Sequence, residues 1–248
     1  MPSLYLEHLT WVQAEKAFQE IPIVLLPIGA ILKEHGPHLP LNTDYLLARD
    51  LARRVAEQTE VIVCPPITFG YYPAFVHFPG STHLEADTFR EMIEQIISSL
   101  AKNGAQRFVV LNTGVSTTAP LTLAANNLVA QNIRVALANI LDLGKSADDV
   151  IENKVGSHAN EHETSMVLAI DAAVVKMENA VAEIEAWMLQ RGAPVRSVGP
   201  LLRTREGVGE FSASGVIGDP TRATKEKGEA ILRAMAADVV AFCEGWKA

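Results

Sequence analysis

Apolar and polar positions fall in blocks along the chain, and the blocks switch between two periods. The run Pro22-Ile23-Val24-Leu25-Leu26-Pro27-Ile28-Gly29 is apolar on both faces and stops at glycine, the pattern of a central strand covered by helices on either side. After a polar loop and Asp44, Leu46, Leu47, Leu51 and Val55 recur at helical spacing with Arg49, Asp50, Arg53 and Arg54 opposite, which predicts an amphipathic helix. Val61-Ile62-Val63-Cys64-Pro65-Pro66 reads as a second strand ended by prolines, residues 107–112 as a third and 133–138 as a fourth. Helices are expected from an Asp87 N-cap to about Lys102, stopped by Asn103-Gly104, and from about Ala119 to Gln131. Two more are expected, from about Glu161 to Val175 and from about Arg222 to Trp246. Strand, loop and helix alternate throughout, so the expected class is α/β with a mainly parallel central sheet between helical layers. In such a sheet, sites form at the carboxyl ends of strands, here the loops beginning near Gly29, Thr68 and Thr113. The Gly70–His83 loop is long for a compact domain and is expected to serve function. With no repeat or linker in view, one domain is expected over residues 1–248.

Composition narrows the partners. The formal charge is −8 and Lys and Arg form no run of five, so neither nucleic acid nor an anionic membrane surface is expected. The longest apolar stretch, Ile21–Leu32, is interrupted by Pro22, Pro27 and Gly29 and falls short of the ~20 residues that span a bilayer. The first residues lack the n-region, h-region and cleavage site of a signal peptide, which makes a cytoplasmic protein the expectation. Cys64 and Cys243 lie far apart with no Cys-x-x-Cys spacing and read as buried thiols. Gly-x-Gly-x-x-Gly and Gly-x-Ser-x-Gly are absent, so dinucleotide-dependent oxidoreductases and serine hydrolases lack their fingerprints.

The densest polar constellation, Glu34, His35, His38 and Asp44, directly follows the first buried strand. Imidazole and carboxylate are the ligands of zinc, manganese or iron, and a hydrolytic ion needs about three of them plus a position for water. The same residues also read as loop histidines bonding backbone carbonyls and an aspartate capping the next helix. Composition leaves both readings open.

The order of residues here resembles the creatininase family. His35-Gly36-Pro37-His38-Leu39-Pro40-Leu41-Asn42-Thr43-Asp44, after a strand ending Leu26-Pro27-Ile28-Gly29, is similar to the family hallmark Glu-x-His-Gly-Pro-His-Leu-Pro-x-x-x-Asp. Three further segments agree: His77-Phe78-Pro79-Gly80-Ser81, His158-Ala159-Asn160-Glu161-His162-Glu163-Thr164-Ser165, and Gly218-Asp219-Pro220 with Ala223-Thr224 and Lys227-Gly228. The resemblance implies a layered α/β/α fold, a homo-oligomer, commonly a hexamer, and a two-metal amidohydrolase. Carried over residue by residue, His35 matches the first-motif histidine, Asp44 the bridging aspartate, Glu163 the glutamate of Glu-Thr-Ser and His158 a histidine near substrate. His77, Ser81, Asn112 and Ser116 are candidates for substrate contact.

Two departures alter the implied centre. Where the family has its ligand glutamate, two residues before His35, this chain has Lys33, with Glu34 shifted next to the histidine. Where the family has Asn-Gly-His, the chain has Asn112-Thr113-Gly114, and Ser116 replaces a glutamate found in some members. The expectation is one divalent ion rather than two, zinc or manganese with iron as an alternative, held by His35, Asp44 and Glu163 with Glu34 in reach. A site without an ion, in which Lys33 supplies the positive charge, stays open beside it. Glu34, His158 and Lys33 are the candidates for the chemistry itself. The reaction implied is hydrolysis of a non-peptide carbon–nitrogen bond, as in a cyclic amide, lactam or formamide, on a small polar metabolite. The alternatives are a metal-free enzyme using Lys33 and Glu34, and a noncatalytic small-molecule-binding or assembly subunit. His162 reads as a surface residue or one behind the ligands, Ser116 and Thr117 as caps or amide donors to an anion, and Trp11, Trp187 and Trp246 as core or interface side chains.

Overall fold

A computed structural model describes residues 4–190 and 199–247. In chain order the first half runs β1 (Leu4–Tyr5), α1 (Trp11–Glu20), β2 (Ile23–Ile28), α2 (Thr43–Ala56), β3 (Ile62–Val63), α3 (Ala86–Lys102), β4 (Arg107–Asn112), α4 (Thr118–Ala130) and β5 (Arg134–Asn139). The five strands form one parallel sheet in the order β1-β3-β2-β4-β5. Every residue of β2 is buried, and successive side chains enter opposite cores, as the two-residue period of a strand requires. Ile23 and Leu25, with Val109 and Leu111 of β4, join the core under α2; Val24, Leu26 and Ile28, with Phe108 and Val110, join the core under α1, α3 and α4.

The second half runs β6 (Gly156–His158), α5 (Glu161–Asp171), β7 (Leu201–Leu202), β8 (Glu210–Phe211), β9 (Ile217–Gly218) and α6 (Lys225–Trp246). α5 and α6 complete the first core through Met166, Val167, Ile231, Leu232, Met235 and Val239. Two small sheets, β6 against β9 antiparallel and β7 beside β8 parallel, lie outside the main sheet. Both rest on short strands that hydropathy alone does not distinguish from loop. No helix among the described residues is long and apolar enough to cross a membrane.

Boundaries moved where local chemistry overrode periodicity. Glu85, not Asp87, holds the N-cap position of α3; Asp87 sits in the first turn, where a carboxylate favours the helix dipole. α5 ends at Asp171 because the chain passes into 3-10 turns at Ala172–Val174 and Met177–Asn179. α6 begins at Lys225 because the Thr224 side chain accepts from the Lys227 N–H, which leaves Arg222 ahead of the helix. α1, opened by a Thr10–Gln13 capping box, and the edge strand β1 lie outside the elements expected from periodicity.

Candidate active site

The site forms where the carboxyl ends of β2 and β4 meet the β6–α5 junction. Gly29 ends β2 against the first turn of α2: any Cβ there would collide with the Asp44 carbonyl. That close approach places Asp44, with no exposed surface, under the loop carrying Lys33, Glu34 and His35. Thr113 ties β4 to the same point through its hydroxyl, which lies 2.9 Å from the Asp44 carbonyl oxygen.

Lys33 is 4% exposed, and its Nζ lies 2.5 Å from Asp44 Oδ2 in a buried ion pair. The ammonium also lies 5.0 Å from the centre of the Phe75 ring and 5.8 Å from that of Tyr72, within reach of the attractive face of an aromatic ring. Asp44 Oδ1 faces His35 Nε2 at 2.9 Å. Burial by itself would raise the Asp44 pKa, but the charge of Lys33 and then of His35 holds it well below the usual carboxylate range.

The two histidines are oriented by successive backbone carbonyls. His35 Nδ1 lies 2.9 Å from the Lys33 carbonyl, and His158 Nε2 lies 2.9 Å from the Glu34 carbonyl. A carbonyl oxygen only accepts, so the nitrogen facing it carries the hydrogen. His158 Nδ1 is thereby left for other work, whereas His35 Nε2 is turned to Asp44 Oδ1. The rings stand 4.8 Å apart, and His158 Nδ1 lies 3.6 Å from Glu163 Oε2. One nitrogen of His35, one of His158 and a carboxylate oxygen of Glu163 lie within 4.8 Å of one another. Glu163 is fixed in turn: Oε2 accepts from the Ala159 N–H at 2.5 Å, and its own N–H donates to Asn160 at the N-cap of α5. Ala159 achieves this at a φ of 50°, the left-handed region that a side chain occupies only when its surroundings enforce it.

Glu34 faces His158 rather than Asp44, with Oε2 3.1 Å from His158 Nε2; its other oxygen accepts from the Gly36 N–H. Burial opposes its ionisation, yet His158 and these hydrogen bonds bring the Glu34 pKa below its ordinary value. The Glu34 N–H donates to Ser81 Oγ at 3.0 Å, so Ser81 supports the loop. His38 is buried and bonds Thr164 Oγ1 through Nε2 at 2.8 Å; burial and the nearby His35 lower its pKa to about 4, which leaves it neutral.

A cavity of about 130 Å³ opens over the cluster, with Lys33, Phe75, Ser116, His158 and Glu163 on its walls. Ser116 lies on the wall of this cavity. Asn112 is consumed by structure: its Oδ1 accepts from the Gly114 N–H and Thr117 hydroxyl, and its Nδ2 donates to Thr118 and Asn139. His77 is exposed and makes no hydrogen bond or ion pair among the described residues.

Sequence reasoning passed over Phe75 and Tyr72, which flank Lys33, and the segment 212–216. Glu183 accepts from Ser212 Oγ, the Ala213 and Ser214 N–H groups and Ser214 Oγ, and so gathers that segment. Gly215, at φ 84°, then lies against the Glu34 carboxylate, where any Cβ would overlap it. The Gly/Ser-rich composition of the segment was its one visible signal.

A layered α/β fold with a histidine–carboxylate cluster at the sheet's carboxyl end is a framework suited to hydrolytic chemistry. The family model described as creatinine amidohydrolase matches residues 7–243, and the chain belongs to the creatininase family. A creatinine amidohydrolase of Pseudomonas putida is 30% identical over 250 residues, covering 93% of this chain and 92% of that protein. A mycofactocin precursor peptide peptidase of Mycobacterium ulcerans is 30% identical over 234 residues, covering 91% and 86%. A solved creatininase described as a manganese form matches with a TM-score of 0.81 at 26% identity, covering 98% of each chain; a zinc–zinc form of a creatininase variant gives the same score and identity. The reaction class that accompanies this membership is hydrolysis of an amide-type carbon–nitrogen bond.

Proposed function

We propose that this protein hydrolyses a cyclic amide, lactam or formamide of a small polar metabolite, using a site built for one divalent ion where the creatininase arrangement holds two. The observation that carries this reading is the pairing of Lys33 with Asp44 beside the convergence of His35, His158 and Glu163. Asp44 is already neutralised by an ammonium, and the glutamate and histidine that would complete a second ion site are Lys33 and Gly114 here. The remaining three ligands fit one ion. Their donors converge, His158 carries its hydrogen on the side turned to the Glu34 carbonyl, and Glu34 accepts from His158 as a carboxylate behind a ligand histidine does; His35 would offer the ion the Nε2 that faces Asp44. When bound there, zinc or manganese supplies Lewis-acid polarisation of the scissile carbonyl and a more acidic water.

The chain's own groups do the rest. Lys33 presents a fixed positive charge to the cavity, where oxyanion character develops as the carbonyl is attacked. Glu34 keeps His158 Nε2 protonated and its ring aligned. Glu163, on the cavity wall, serves as proton acceptor and returns the proton to the leaving nitrogen. A metal-free second reading is favoured by Lys33 alone, since it already places a cation at the cavity. Chelation separates the two: dialysis against a strong chelator is expected to abolish turnover over a panel of lactams and formamides, with zinc or manganese restoring it. Full activity after chelation would favour Lys33 acting without an ion. The proposal extends to a homo-oligomer in the cytoplasm. Exposed Trp11 (78%) and Leu189 (65%) suit an interface, and the buried, unpaired thiols of Cys64 and Cys243 suit a reducing compartment.

A further inference from the structure

A second and larger cleft, about 260 Å³, adjoins the reaction cavity and shares Val115, Ser157 and Glu163 with it as common wall. The inner side is apolar, formed by Ile140, Leu143 and Ile151; the outer side carries Lys145 and Lys154. The outer wall is pinned before any ligand arrives. Glu161, fully buried, accepts from the Glu152 and Asn153 N–H groups and from the Lys227 ammonium, which fixes the segment leading to Lys154. Asp238 accepts from the Gly144 N–H at 2.7 Å and holds the other end. The charges on this wall are unequal. Lys154 donates to the Asp148 carbonyl, not to a carboxylate, and Lys145 reaches the Asp148 carboxylate only at 3.9 Å. On this outer wall two ammonium groups therefore face the one carboxylate of Asp148, with Glu163 standing on the wall shared with the reaction cavity.

We infer that the substrate carries a short apolar arm ending in an anion, a carboxylate or a phosphate, and that this arm lies in the cleft with its charge between Lys145 and Lys154 while the scissile bond sits over Glu163. The inference rests on the hydrolase reading for its scissile bond and on the cleft alone for its arm. An apolar stem suits the Ile140–Ile151 side, and a terminal anion suits two under-neutralised lysines.

The test is binding, measured calorimetrically on the full chain with hexanoate, hexyl phosphate, hexanol and hexylamine. Hexanoate or hexyl phosphate is expected to bind at least tenfold more tightly than hexanol or hexylamine, and the tighter of the two names the terminal group. The double variant Lys145→Ala/Lys154→Ala is expected to lose that tenfold preference, while the distant Lys102→Ala keeps it. Equal binding of hexanol, or an anion preference that survives the double variant because the probe sits elsewhere, would overturn the inference. Because turnover is not read, loss of the hydrolase reading leaves this outcome interpretable.

Discussion

The two halves of the site solve the same electrostatic problem in opposite ways. Around Asp44, a buried carboxylate is neutralised from within the chain, by the Lys33 ammonium at 2.5 Å and by His35 at 2.9 Å. Around Glu163, the carboxylate faces a histidine nitrogen at 3.6 Å, too far for a hydrogen bond, and opens onto the cavity. The first half is closed and the second faces the cavity. A buried negative charge needs a partner: at Asp44 the chain supplies the Lys33 ammonium through an ion pair, and at Glu163 it supplies a backbone N–H and a neighbouring imidazole.

The largest effect should follow from removing the lysine partner. Lys33→Met leaves Asp44 buried with His35 alone, a change of the kind that costs about 3–5 kcal/mol, read as a lowered denaturation midpoint. Adding Asp44→Asn should recover most of that loss, because the uncompensated charge is then gone. Wild-type stability in the single variant, or an additive loss in the double, would show that the two halves are not distinguished by this pair.

A smaller effect concerns pH. His38 lies beside the site with its pKa lowered to about 4 by burial and by His35. In the unfolded chain it takes up a proton near its ordinary 6.5, while the folded form stays neutral until about 4. Stability should therefore be full above pH 6.5 and decline as the pH falls toward 4, with the Asp44 and Glu34 contributions lost at lower pH still, as those carboxylates protonate. His38→Asn should flatten the stability profile between pH 6.5 and 4, and an unchanged slope would assign it to other groups.

Much of the scaffold was legible in the sequence, because β2 and β4 are buried on both faces and α2 follows a clear apolar stripe. The His35–Asp44 segment was legible for another reason: a contiguous motif carries its spacing in one dimension. What escaped was assembled across sequence distance. The contact of His158 with Glu34 spans 124 residues, Gly215 meets Glu34 only after Glu183 has gathered the segment between, and Phe75 meets Lys33 through a turn with no periodic pattern. Lys33 itself was visible, and its oddness was readable. That its ammonium would close on Asp44 was not, since the alternative of Glu34 turning toward Asp44 fits the same residues until the fold aims Glu34 at His158.

The most direct measurement is the number of divalent ions per chain, by elemental analysis of the purified protein and of two variants. The account predicts one zinc or manganese per chain in the wild type, one retained in Asp44→Asn, and none in His158→Ala that folds with native circular dichroism. Two ions per chain in the wild type, or an ion lost with Asp44→Asn and kept with His158→Ala, would contradict it.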